Sequence, residues 1–199
     1  LEPIWVEKHE TARRLKLRLE AIFEWARLEG HCSGDNPVRG IKRVLKPVRR
    51  TPRHHSALSW HDAPAFYQRL RERDAMSARA LRFVILTAAR SGEVRNAKWS
   101  EIDGTVWTLP GERTKTGKPL RIPLSAEAQS VLNGLRYVDD TLVFPARTIG
   151  PDGKAKPLSV NAFRTLYSRM HVTGITTHGF RSTFRDWCSE AGQVSREVA

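Results

Sequence analysis

The sequence predicts a mainly helical protein with a small antiparallel β-sheet. Residues 1–45 read as the end of one helical domain, 46–55 as a basic linker, and 56–199 as a larger domain. Three observations lead there. Apolar residues recur at helical spacing in several long stretches. Two short runs of strand composition, TVWTLP at 105–110 and LRIPL at 120–124, flank a turn. Between the two helical parts lies KPVRRTPRHH, a proline-containing basic segment that cannot continue a helix.

In chain order, residues 9–29 form an amphipathic helix with Leu15, Leu19, Ile22, Phe23 and Ala26 on its apolar face. Its outer face carries Arg13, Arg14, Lys16 and Arg18, and Gly30 serves as the left-handed stop. SGDNP at 33–37 is a turn, and PVRGIKRVL is at most a short helix. One helix and a stub cannot bury a core, so this part is expected to be the tail of a larger helical unit. Ser59 and Asp62 resemble a capping box ahead of the helix HDAPAFYQRLRER. Residues 77–99 are mostly helix with a break near ARSGE. GERTKTGK is predicted to be a hairpin with its turn at Thr116–Gly117. Ser125 opens a further helix, LVFP at 142–145 is extended, and TIGPDGKAKP is a loop. Ser159 opens the helix VNAFRTLYSRM, and the last helix runs from near Thr177 to Gly192.

Composition narrows the class. The hydrophobic fraction of 40% is that of a globular chain, and Trp5, Trp25, Trp60, Trp99, Trp107 and Trp187 are core candidates. The longest apolar run, FVILTAA at 83–89, is too short to span a bilayer, and the chain reads as soluble and intracellular. Cys32 and Cys188, without a CxxC, read as reduced thiols, Cys32 as a packed one. His54, His55 and His61 have no carboxylate or cysteine at ligand spacing, so no metal is expected.

Charge is the strongest global signal. Lys plus Arg number 34 against 21 acids, a formal net charge of +13. From Asn36 to His61 there is no acid, but there are Arg39, Lys42, Arg43, Lys46, Arg49, Arg50 and Arg53. A second acid-free run, 153–185, holds Lys154, Lys156, Arg164, Arg169, Arg181 and Arg185. Segregated charge of one sign calls for a polyanionic partner, nucleic acid first and an anionic membrane second. The prolines Pro37, Pro47 and Pro52 interrupt the first run, so it is not the amphipathic basic helix a membrane surface would take.

Three segments carry candidate chemistry. In HGFRSTFRDW, His178 falls in the first turn of a helix, where unpaired N–H groups and the dipole favour an anion by roughly 0.3–1 kcal/mol. Arg181 follows on the same face, and an arginine fork matches two phosphate oxygens. Taken alone, the pair reads as a cap and a surface cation. In LTAARSGEVRNAKW, Arg90 ends a buried apolar run. It is either ion-paired with Glu93 for structure or aimed into a cleft with Glu93 holding it. In ERTKTGK, Lys115 is either a solvated loop lysine or a proton donor reaching into a groove.

Together these segments resemble the tyrosine recombinases, or phage integrases, and within them the bacterial prophage-type integrases. LTAARSGEVRNAKWSEID is similar to the first arginine motif, with Arg90 at the catalytic arginine and Glu93 as its acidic companion. RTKTGKPLRIPLS is similar to the family hairpin, with Lys115 at the catalytic lysine and Lys118 as the alternative. HGFRSTF is similar to the H-x-x-R motif, giving His178 and Arg181. Residues 1–45 resemble the end of the core-binding domain.

The resemblance implies a DNA breaking-rejoining catalytic domain. In that chemistry a tyrosine attacks a DNA phosphodiester and forms a 3′-phosphotyrosyl link, with no metal or nucleotide cofactor. Arg90 and Arg181 would clamp the non-bridging oxygens, Lys115 would protonate the leaving oxygen, and His178 would hydrogen-bond the phosphate or assist proton transfer. It also implies double-stranded attachment-site DNA as partner, a tetramer assembled on it, accessory DNA-bending proteins, and a bacterial cytoplasmic, nucleoid-associated setting without a membrane. Expected DNA contacts are Arg13, Arg14, Arg39, Lys42, Arg43, Lys46, Arg49, Arg50, Arg53 and Lys118. The family nucleophile follows H-x-x-R, whereas Tyr67, Tyr137 and Tyr167 all precede His178. The chain is therefore expected to be truncated before its nucleophile and inactive alone. The alternatives are a non-catalytic DNA-binding fragment and a type IB topoisomerase-like enzyme.

Overall fold

The computed structural model describes residues 1–45, 47–48, 56–135, 138–192 and 194, and only the backbone of Lys42 and Arg43. The chain divides into two compact units, Leu1–Arg53 and His54–Ala199.

The first unit contains α1 (Glu2–Trp5), α2 (His9–Leu28) and a 3-10 turn at Arg39–Arg43. Gly30, at φ 74°, ends α2 in the left-handed region as the sequence predicts. The face of α2 differs from expectation. Lys16 is not on the outer face but buried, with Nζ 2.6 Å from Glu20. Leu15, Ile22 and Phe23 are exposed, because this small unit has little to lay against them. Trp25 is also exposed, and Cys32 is exposed rather than packed. Asn36 is buried and fixes the turn after α2. Its amide donates to the Glu20 carbonyl at 2.8 Å, and its side-chain oxygen accepts from Val38 N–H at 3.0 Å.

The second unit runs α3 (Ala63–Arg71), α4 (Met76–Thr87), α5 (Ser91–Arg95), β1 (Ile102–Asp103), β2 (Val106–Leu109), β3 (Leu120–Pro123), α6 (Ala126–Asn133), β4 (Pro145–Ile149), β5 (Ala155–Pro157), α7 (Ala162–Arg169) and α8 (Gly179–Glu190). Helix α4 is its axis and packs on α3, α5, α6, α7 and α8. The run that ends it is apolar because it is enclosed: Leu81, Phe83 and Val84 are fully buried. Phe83 lies 5.3 Å from the Trp107 ring and 5.5 Å from Phe144, joining α4 to the sheet. The sheet is antiparallel in the order β1-β2-β3, with Trp107 opposite both Ile102 and Ile122.

Several boundaries move from their sequence positions. The Ser59–Asp62 capping box does not form. The Ser59 hydroxyl accepts from His61 N–H instead, and α3 begins at Ala63. The turn between β2 and β3 has Lys115 and Thr116 at its centre, with Gly117 N–H closing onto the Thr114 carbonyl. TIGPDGKAKP is not a loop but most of a two-stranded ribbon, β4–β5, turned by Gly153 at φ 72°. Helix α7 starts three residues past Ser159, and Trp187 is exposed rather than buried.

Candidate active site

Helix α4 ends in an unusual way. Ala88 adopts φ 49°, ψ 22°, the left-handed region, at a cost of roughly 1–2 kcal/mol for a residue with a Cβ. This turns its carbonyl toward α8, where Arg181 Nη1 donates to it. Arg90 then caps α5 in an extended conformation. Glu93, almost fully buried, accepts from Arg90 twice: from its backbone N–H at 2.8 Å and from Nη1 at 2.7 Å. The ion pair with Glu93 expected from the sequence is present, and the guanidinium it holds is still partly exposed.

Arg181 comes from the opposite side, on the first turn of α8. Burial, and after it the like charge of Arg90, push the Arg181 guanidinium below its ordinary value, while Glu93 opposes them. An arginine remains charged under any condition a protein survives. Arg181 thus feels the charges of both Arg90 and Glu93, and among the described residues it belongs to no ion pair. Such a site favours an anion. His178 is the N-cap of the same helix and is exposed.

The position of α8 rests on a close approach. A Cβ on Gly179 would lie 2.3 Å from the Ser56 carbonyl oxygen, so the glycine of HGFR lets residues 56–58 cross the helix start. Thr176 donates its N–H to that carbonyl at 3.0 Å and accepts Gly179 N–H at its hydroxyl, while the Thr183 hydroxyl donates to the Leu58 carbonyl at 2.6 Å. Phe180 anchors the other face, stacked 5.5 Å from Phe66.

Lys115 is exposed at the tip of the β2–β3 loop and makes no hydrogen bond or ion pair with the described residues; Lys118 is exposed too. The base of that loop is nevertheless tied to the arginine motif by residues the sequence reading passed over. Arg113 Nη2 donates to the Glu93 carbonyl at 2.7 Å, and Nη1 donates to the carboxylate of Glu101. Glu101 is buried at the end of a 3-10 turn, Trp99–Glu101, just ahead of β1, and nothing local in the sequence marks it as more than a surface charge.

The tyrosines are held elsewhere. Tyr167 is buried and hydrogen-bonded to the Thr177 hydroxyl at 2.9 Å, and burial pushes it up to about 12. Tyr67 lies between Arg82 and Glu127, and burial raises it as well. A raised phenol is the reverse of an activated nucleophile. Tyr137 lies outside the described residues.

Of the expected DNA contacts, Arg13 and Arg14 are exposed and both donate to Glu10, which they hold down at about 2. Arg39 reaches Glu24 at 3.1 Å. Lys42 and Arg43 lie in the 3-10 turn, and Lys46, Arg49, Arg50 and Arg53, like His54 and His55, lie outside the described residues. His61 stacks on Trp60 at 3.6 Å. No helix among the described residues is long and apolar enough to cross a membrane.

Comparison with known proteins places this geometry. Residues 57–199 match the phage integrase family and residues 1–43 the phage integrase central domain. The prophage integrase IntZ of Escherichia coli strain K12 is 34% identical over 193 residues, covering 94% of this chain and 46% of the relative. The integrase of Enterobacteria phage P4 is 30% identical over 213 residues, covering 96% and 47%. The chain spans about half the length of these relatives. Among solved structures, a lambda integrase(75-356) dimer bound to a COC′ core site superimposes with a TM-score of 0.67 at 20% identity, over 96% of this chain and 70% of that one. The Tn1549 transposon integrase in complex with circular intermediate DNA gives 0.59 at 16% identity, over 95% and 69%. The fold is thus that of the integrases, and the chain belongs to the phage integrase family.

Proposed function

We propose that this chain supplies the phosphate clamp of a site-specific DNA recombinase that cuts and rejoins strands through a 3′-phosphotyrosyl intermediate. The observation that carries the reading is the convergence of Arg90 and Arg181 around the single carboxylate of Glu93, which leaves a net positive, half-buried site. Arg90 and Arg181 hold the non-bridging oxygens and stabilise the charge that builds up in the transition state. His178, one helical turn from Arg181, hydrogen-bonds the same phosphate. Lys115 gives its proton to the departing 5′ oxygen as the tyrosine oxygen bonds to phosphorus. A second strand's hydroxyl reverses the step, so bond energy is conserved without a cofactor. The partner is attachment-site DNA bound by several protomers in the cytoplasm at the nucleoid; lambda integrase, of similar fold, is known as a dimer bound to a COC′ core site and as a tetramer bound to a Holliday junction.

Tyr67 and Tyr167 are both hydrogen-bonded with raised pKa, so neither is taken as the attacking group, and this chain is proposed to bind DNA without cutting it. The test is a covalent trap. Labelled, nicked attachment-site DNA is incubated with this chain and with a form extended through a tyrosine-bearing C-terminal segment, and adducts are resolved on a denaturing gel. An adduct with the extended form alone supports the reading; an adduct on this chain itself would overturn it.

A further inference from the structure

The loop that carries Lys115 is closed on itself, and among the described residues the side-chain hydrogen bonds that tie it to the rest of the unit come from Arg113. Within the loop, the Thr114 hydroxyl lies 3.0 Å from the Gly111 carbonyl and 2.8 Å from that of Lys118. Gly111 and Gly117 approach so closely that a Cβ on Gly111 would meet the Gly117 carbonyl oxygen at 2.5 Å. Lys115 itself has no hydrogen-bond or ion-pair partner among the described residues, so its placement is that of the loop. The tie is Arg113. One nitrogen donates to the Glu93 carbonyl at 2.7 Å, the other to Glu101. Glu101 cannot swing away, because its second oxygen accepts from Trp107 Nε1 at 3.0 Å and from Lys98 N–H at 3.2 Å, and Trp107 is fully buried.

Glu93 is therefore shared: its carboxylate holds Arg90 and its carbonyl holds Arg113. A buried ion pair such as Arg113–Glu101 is a poor source of stability, since desolvating both charges offsets most of their attraction. What it fixes well is direction, because the planar fork admits few geometries. We infer that Arg113, oriented by Glu101, is a positioning residue that sets the loop bearing Lys115 in register with Arg90. This rests on the proposed reading of Lys115 as proton donor.

The test uses the form of the protein that carries its attacking tyrosine, and two nicked substrates that differ in one atom. In the first, the bond that breaks is P–O5′, and the leaving oxygen takes the proton of Lys115. In the second, sulfur replaces that bridging oxygen and leaves as a thiolate, which needs no proton because a thiol's pKa is only about 8.5. General acid catalysis contributes typically 10²–10⁴-fold, and a displaced acid forfeits part of it, so Arg113→Met should slow cleavage of the oxygen substrate by roughly 10–10²-fold. On the sulfur substrate it should return to within about threefold of wild type, as Lys115→Ala should and Arg90→Ala should not.

Glu101→Gln keeps an acceptor for Trp107 but loses the charge facing Arg113, and should show the same sulfur rescue from a smaller deficit. It serves if Arg113→Met melts below the assay temperature. Equal loss on both substrates in folded variants would overturn the inference and leave Arg113 a structural residue. A deficit of Lys115→Ala that is equal on oxygen and sulfur would instead remove the reading of Lys115 itself, and the positioning role with it.

Discussion

Arg90 and Arg181 sit half-buried where α4, α5 and α8 meet, each held by a carboxylate or a carbonyl, whereas Lys115 stands exposed on a loop with no partner of its own. The tasks proposed for them account for the difference. Charge stabilisation requires donors already aimed before the reaction, in a place where water is scarce. A proton donor has to meet an oxygen that becomes basic only as its bond breaks, and it needs access more than burial. The contrast teaches that the two arginines of the proposed clamp are built into the fold's core, while the proposed acid is mounted on it through the base of a loop.

The largest expected effect lies in the clamp. Arg181→Ala should lower adduct formation by on the order of 10²–10³ in the tyrosine-bearing form, while DNA affinity in a mobility shift falls only slightly. A parallel fall in both would make Arg181 a binding residue and erase the contrast. Next comes the seating of α8. Gly179→Ala drives a Cβ into the Ser56 carbonyl and should cost roughly 1–3 kcal/mol, read by thermal melting of this chain. By comparison Gly117→Ala, at φ 72° with open space around its Cβ, should cost about 1 kcal/mol and leave the arginines undisturbed. Equal losses at the two glycines would mean the loop is as deeply embedded as the helix.

The smallest effect is in pH dependence. Tyr167 ionises near its ordinary value of 10 in the unfolded chain and at about 12 in the folded one, so the folded state holds the proton longer. Its contribution is complete below pH 10 and lost as pH rises through 12. Tyr167→Phe should flatten the stability loss over that window, measured by denaturant melts at successive pH. An unchanged slope would show that Tyr167 is not the group titrating there.

Much of this was legible in the sequence, for reasons that particular residues make plain. The helix 9–29, the break at ARSGE and the Ser125 cap follow from local chemistry; the Ser125 hydroxyl accepts from Ala128 N–H at 3.2 Å. The proposed site residues fall in short motifs whose spacing a helix turn or hairpin sets. What was not legible depends on contacts distant in sequence. Lys16 is buried through Glu20 on an uneven helix face, and the left-handed Ala88 answers to Arg181, 93 positions away. Arg113 and Glu101 read as ordinary charges because nothing local reveals that Trp107 pins the acid. The β4–β5 ribbon was hidden because Gly150, Pro151, Asp152 and Gly153 have loop composition, which is also turn composition.

Arg90 and Arg181 are proposed to act on the charge of the scissile phosphate. The most direct test of that role is adduct formation on an ordinary substrate and on one whose scissile phosphate is a neutral methylphosphonate, with wild-type and Arg181→Ala tyrosine-bearing protein. With the charge removed there is less for the second guanidinium to neutralise, so the deficit of Arg181→Ala should shrink by about tenfold or more. The same deficit on both substrates would contradict the account and make Arg181 a structural strut of α8.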